Sequence, residues 1–104
     1  MSTSTATEEI EVFKTLVAQY VQTNESIIAA YGRFKAASTM TEKTAILDEL
    51  GALFNTSQVL SEQINDSLTK IFSLNPNPQE ITTLKEQMAI LKASRDRVKA
   101  VLKR

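Results

Sequence analysis

Glu62 and Asp66 stand four residues apart in the segment SEQINDSLTK, a spacing that places two carboxylates on one face of a helix. Such a pair can pass a proton or hold a hard cation. Either use needs further groups: a third oxygen ligand for the cation, or a second titrating partner for the proton. The chain contains no His and no Cys. Imidazole bases, thiolate nucleophiles and the Glu-x-x-His ligands of di-iron bundles are therefore absent from it. The other acidic pair, Asp48 and Glu49, is adjacent in sequence, so its two side chains diverge on a helix. Both pairs read as solvated acidic faces. Ser and Thr are numerous, yet no GxSxG, P-loop or dinucleotide fingerprint occurs. The expectation is a chain that is not an enzyme and carries no metal or cofactor.

The remaining charge pattern concerns partners. Net charge is zero, but residues 75–104 carry seven basic and three acidic residues, concentrated in KASRDRVKAVLKR. On a helix Lys92, Lys99 and Lys103 share a face, with Arg95 beside them. A basic helix end suits the helix dipole, and that is the favoured reading. Nucleic acid is not an expected partner, because the chain is neutral overall and this segment has no aromatic residue on which bases could stack. A weak contact between Lys92, Lys99 and Lys103 and an anionic surface is the minor alternative.

These residues have to be positioned by helices. Only two Gly and two Pro punctuate 104 residues. Ile10, Phe13, Val17, Tyr20, Asn24, Ile27, Tyr31 and Phe34 recur at spacings of three and four, which predicts a helix over about 7–38. Thr39 and Glu42 fit a capping box opening a second helix over about 41–73. Its seam is Ile46, Leu50, Leu53, Ser57, Leu60, Ile64, Ser67 and Ile71. Asn77-Pro78-Gln79-Glu80 supplies a cap, a proline at the first helical position and an acid three residues on. The third helix runs over about 78–103, with a seam of Ile81, Leu84, Met88, Leu91, Arg95, Val98 and Leu102. Gly51 interrupts the second helix, where it permits a bend or a close approach. Tyr20 and Tyr31 read as core residues with their hydroxyls reaching outward.

Short connections make successive helices antiparallel. The predicted fold class is all-α: an up-down-up three-helix bundle with long, coiled-coil-like helices, a single domain over 1–104 and a disordered 1–6. Counting outward from the two turns puts Asn24, Ser57 and Arg95 in one layer. Together they satisfy one another and fix the register; the alternative is that Arg95 snorkels out past the small serine. A third use of that layer is to bind a small anionic ligand.

Apolar residues exceed what one seam per helix needs. Leu47, Phe54, Leu68 and Phe72 lie beside the seam of the second helix, and Val12, Val59, Ile90 and Val101 lie off the main stripes. These residues form the expected partner surface. The function expected is a non-enzymatic helical protein–protein interaction module, an adaptor or complex subunit that binds a partner or self-associates. The alternative is an export or assembly chaperone that holds an amphipathic segment. No apolar run is long enough to span a membrane, and the N-terminus lacks a signal peptide's apolar centre. A soluble, cytoplasmic location is expected on that basis. The pattern is similar to long three-helix bundles such as spectrin-like repeats, syntaxin-like N-terminal domains and small export chaperones. No motif is shared residue by residue, so the similarity implies no activity.

Overall fold

The computed structural model describes residues 5–103, and among them the regular structure is three helices: α1 (Ala6–Ala36), α2 (Met40–Ser73) and α3 (Pro78–Leu102). Each begins at a side-chain cap. Thr5 Oγ1 accepts the Glu8 N–H at 3.2 Å and Thr39 Oγ1 accepts the Glu42 N–H at 3.1 Å. Asn77 Oδ1 accepts the Glu80 N–H, while Glu80 Oε1 accepts the Asn77 N–H, both at 2.8 Å. The full capping box therefore forms at α3; at α2 the threonine half of the expected box is present. The disorder expected for residues 1–6 falls outside the described residues over 1–4, whereas Thr5 caps α1 and Ala6 is buried in it.

Ala37, Ser38 and Thr39 turn the chain between α1 and α2. Asn75, at φ 54°, ends α2 in the left-handed region, which asparagine tolerates better than most residues. Pro76 and Pro78 then prevent α2 from continuing into α3.

The side chains record the helix directions. Glu9 of α1 reaches Ser67 of α2, and Arg33 reaches Glu49, so α1 and α2 are antiparallel. Thr7 reaches Glu80, Asn24 reaches Ser94 and Glu25 reaches Arg97, so α1 and α3 run in the same direction. The fold is an all-α up-down-up bundle in which α1 packs against both other helices.

The core splits along the bundle. Ile10, Phe13, Val17 and Tyr20 pack with Leu60, Ile64, Ile71, Leu84 and Leu91 in the larger cluster. Ile27 and Ala30 pack with Leu50 and Val98 in the smaller one. Phe13, Val17, Ile27, Ile71 and Leu84 are almost wholly removed from water, each contributing roughly 1.5–3 kcal/mol of transfer free energy.

The two outer helices stand wider apart than either stands from α1. Among the described residues no Cα of α2 comes within 8 Å of a Cα of α3, although all three helices contribute side chains to the larger core cluster. They form a flat layer, 55 × 28 × 14 Å in Cα extent, with α1 in the middle. The composition of α3 explains the opening. Its side towards α2 carries Lys85, Lys92, Arg95 and Lys99, and the matching side of α2 offers the uncharged Ser61, Asn65 and Leu68. Closing the gap would strip water from four cations against an α2 side whose lining residues carry no charge.

Gly51 is exposed, and a Cβ there would meet nothing within 4 Å. No close helix approach depends on this glycine.

Candidate functional site

Asn24 is buried, 3% exposed, and its Nδ2 donates to Ser94 Oγ at 2.9 Å. Ser57 is half-buried and, among the described residues, bonds to neither. Arg95 is exposed. The expected Asn24–Ser57–Arg95 layer is thus corrected to an Asn24–Ser94 pair. The cause is a rotation of α3 about its own axis. Because α3 packs chiefly on α1, the positions facing inward are Leu84, Gln87, Leu91, Ser94, Val98 and Val101. Met88, Arg95 and Leu102, expected on the seam, turn outward. The Asn24–Ser94 pair lies between the two apolar clusters, and among the described residues no fully buried side-chain nitrogen or oxygen lacks a hydrogen-bond partner.

A second polar contact was not foreseen. Glu9 is buried, accepting the Ser67 hydroxyl at 2.9 Å through Oε2 while Lys70 Nζ lies 3.2 Å from Oε1. Its place in the first turn of α1 suggested only a dipole-matched surface acid. The available signal was Ser67 itself: a hydroxyl on an apolar seam needs an acceptor across the interface. Near the same end, Glu80 is held below the ordinary carboxylate range, chiefly by the Thr7 hydroxyl at 2.6 Å and then by the Asn77 backbone N–H.

Separation of α2 from α3 leaves a cleft of about 590 Å³ over α1. Its floor is Phe13 and Tyr20. Ile64, Leu68, Ser61 and Asn65 form the α2 wall. Leu91, Met88 and Ala89 form the apolar part of the α3 wall, and Lys85, Lys92, Arg95, Asp96 and Lys99 edge it. Met88 is 44% exposed although it was expected in the core. Lys92 Nζ meets Asp96 Oδ2 at 3.1 Å within the α3 wall.

The expected partner surface divides between faces. Leu68 lines the cleft, and Leu47, Phe54 and Phe72 follow it at helical spacing along the same side of α2. All three are open to solvent, at 53%, 44% and 55%. Val59 is exposed at helical spacing from Glu62 and Asp66, on the outer side of α2. Ile90 faces a shallow crevice on the far side of the α1–α3 contact, with Val21 and Arg97. Val101 is half-buried and Val12 is exposed on α1. Of the lysines expected to meet an anionic partner, Lys92 and Lys99 line the cleft, while Lys103 caps the end of α3 outside it.

Glu62 and Asp66 are both exposed, and among the described residues no group of three or more His, Cys, Asp or Glu side chains converges on a common point. No helix of the described residues is long and apolar enough to cross a membrane. No protein-family model, no curated protein and no solved structure matches this chain.

Proposed function

We propose that this chain is a non-enzymatic interaction module that docks one amphipathic helix of a protein partner. The supporting observation is the cleft between α2 and α3, lying over the buried Phe13 and Tyr20 and bordered by the exposed Met88 and the half-buried Leu68. A helix laid there would lie over α1 between α2 and α3 and make a fourth helix of the assembly. It would cover Met88 and the Phe54–Phe72 side of α2, apolar surface that a monomeric helical protein does not ordinarily keep wet.

An assembly or export chaperone would use the same cleft, and it is the second reading because the cleft stands open in the lone chain. The small-anion reading has less support. Arg95 lines the cleft, but Asn24 and Ser57 do not, and the Asn24 amide is taken up by Ser94.

The test is site-specific photo-crosslinking in cells. A photoreactive residue at Met88, in the cleft, is compared with one at Glu62, exposed outside the cleft lining. Adducts of defined mass from position 88 and none from position 62 are expected. Equal labelling from both positions would remove the cleft as the docking face.

A further inference from the structure

The cleft has a charge asymmetry that specifies its occupant. Lys85, Lys92, Arg95 and Lys99 edge its α3 side, and the single acid among the lining residues is Asp96, already paired with Lys92. The α2 side and the floor contribute no charge. Spacings of seven, three and four keep these four cations along one strip of α3, about 21 Å long at 1.5 Å per residue. The other cation of this stretch, Arg97, is turned away and held by Glu25 at 2.9 Å.

The geometry points to an amphipathic helix with an apolar stripe that fills the cleft, an acidic flank against α3 and an uncharged flank against α2. This inference rests on the docking function proposed above and names the chemistry of the partner.

A second copy of the chain fits less well. Stacking two cleft faces brings the basic strip of one copy over either the uncharged side of α2 or the basic strip of its mate, and both leave the cations without acids. A flat anionic membrane would meet the basic edge but offers no apolar ridge to lie between α2 and α3 against Leu68 and Met88. A helix roughly 10–12 Å across with its side chains has the shape to lie between α2 and α3, meeting Leu68 and Met88 while ion-pairing at the edge.

The experiment uses the full chain and three synthetic amphipathic peptides of about 21 residues, long enough to span the strip. They share one apolar stripe and differ only in a single flank, which carries Glu, Gln or Lys. Fluorescence anisotropy of labelled peptide gives the affinities, and amide chemical shifts of the protein locate binding. The Glu peptide is expected to bind about tenfold more tightly than the Gln peptide at low salt, as a few exposed ion pairs together give. The Lys peptide binds weakest, and the preference for Glu collapses in high salt. It collapses equally in the Lys92→Gln/Arg95→Gln double variant, whose exposed side chains leave the fold intact as judged by circular dichroism.

Equal affinity for the Glu and Gln peptides, with shifts in the cleft, overturns the acidic-flank inference and leaves helix docking standing. Absence of binding by all three peptides removes both. Binding of phosphatidylserine vesicles that shifts the same cleft residues and survives addition of the Glu peptide overturns the inference in favour of a membrane surface. A dimer seen by light scattering that dissociates when the cleft is mutated overturns it in favour of a second copy.

Discussion

At the scale of single residues, two buried polar pairs cross the helix interfaces. Asn24–Ser94 ties α1 to α3 midway along the bundle, and Glu9–Ser67, aided by Lys70, ties α1 to α2 near the other end. An unmatched amide in this core would lose its bonds to water without replacement. Asn24→Ala is therefore expected to lower stability by about 1–3 kcal/mol, since it leaves a cavity and an orphaned Ser94 hydroxyl. The Asn24→Leu/Ser94→Ala double variant is expected to recover most of that loss, because both polar partners are gone. Arg95→Met, at an exposed position, is expected to change stability by no more than about 0.5 kcal/mol. Urea denaturation followed at 222 nm measures all three. A large loss in Arg95→Met would restore Arg95 to the polar layer and contradict the rotated α3.

At the scale of elements, each helix is specified by a stripe and a start signal. The caps at Thr39 and Asn77 were legible because hydroxyl, amide and carboxylate side chains satisfy amides that have no partner inside a helix, whereas for α1 Thr5 and Thr7 were both candidates and the structure selects Thr5. The stripe of α3 was only half legible. Leu84, Leu91 and Val98 face α1 as the periodicity requires, but the alternate positions could be read as Met88, Arg95 and Leu102 or as Gln87, Ser94 and Val101. Apolar content favoured the first set over the second by little. The choice depended on whether α3 touched one neighbour or two. Gly51 is the other element-scale ambiguity, settled by the open space around it. Gly51→Ala is expected to stabilise α2 by about 0.5–1 kcal/mol, read as a rise of a few degrees in thermal midpoint by circular dichroism. A fall in midpoint would mean that α2 needs glycine there.

At the scale of the whole molecule, a flat three-helix layer distributes stability unevenly. α1 buries residues against both neighbours, whereas the backbone of α3 closely approaches α1 alone. Hydrogen exchange is expected to be slowest in α1 between Phe13 and Ile27 and fastest, among the helices, in α3. Uniform protection across the three helices would indicate a closed bundle in solution. A partner helix in the cleft would lend α3 a second contact and slow its exchange, linking binding to local stability.

The sequence by itself determined that the chain is helical, where each helix begins, which residues of α1 and α2 face inward and how far along each helix its neighbours lie. These properties follow from local capping chemistry and from a periodicity that repeats every turn, so they are written within each segment. Only the tertiary structure decided that α2 and α3 stand apart, that Ser94 rather than Arg95 meets Asn24, that Glu9 is buried and that an open cleft lines up Phe13, Tyr20 and the basic edge of α3. These depend on how the desolvation of cations on one helix compares with apolar contact to another, a balance between segments that no single stripe contains.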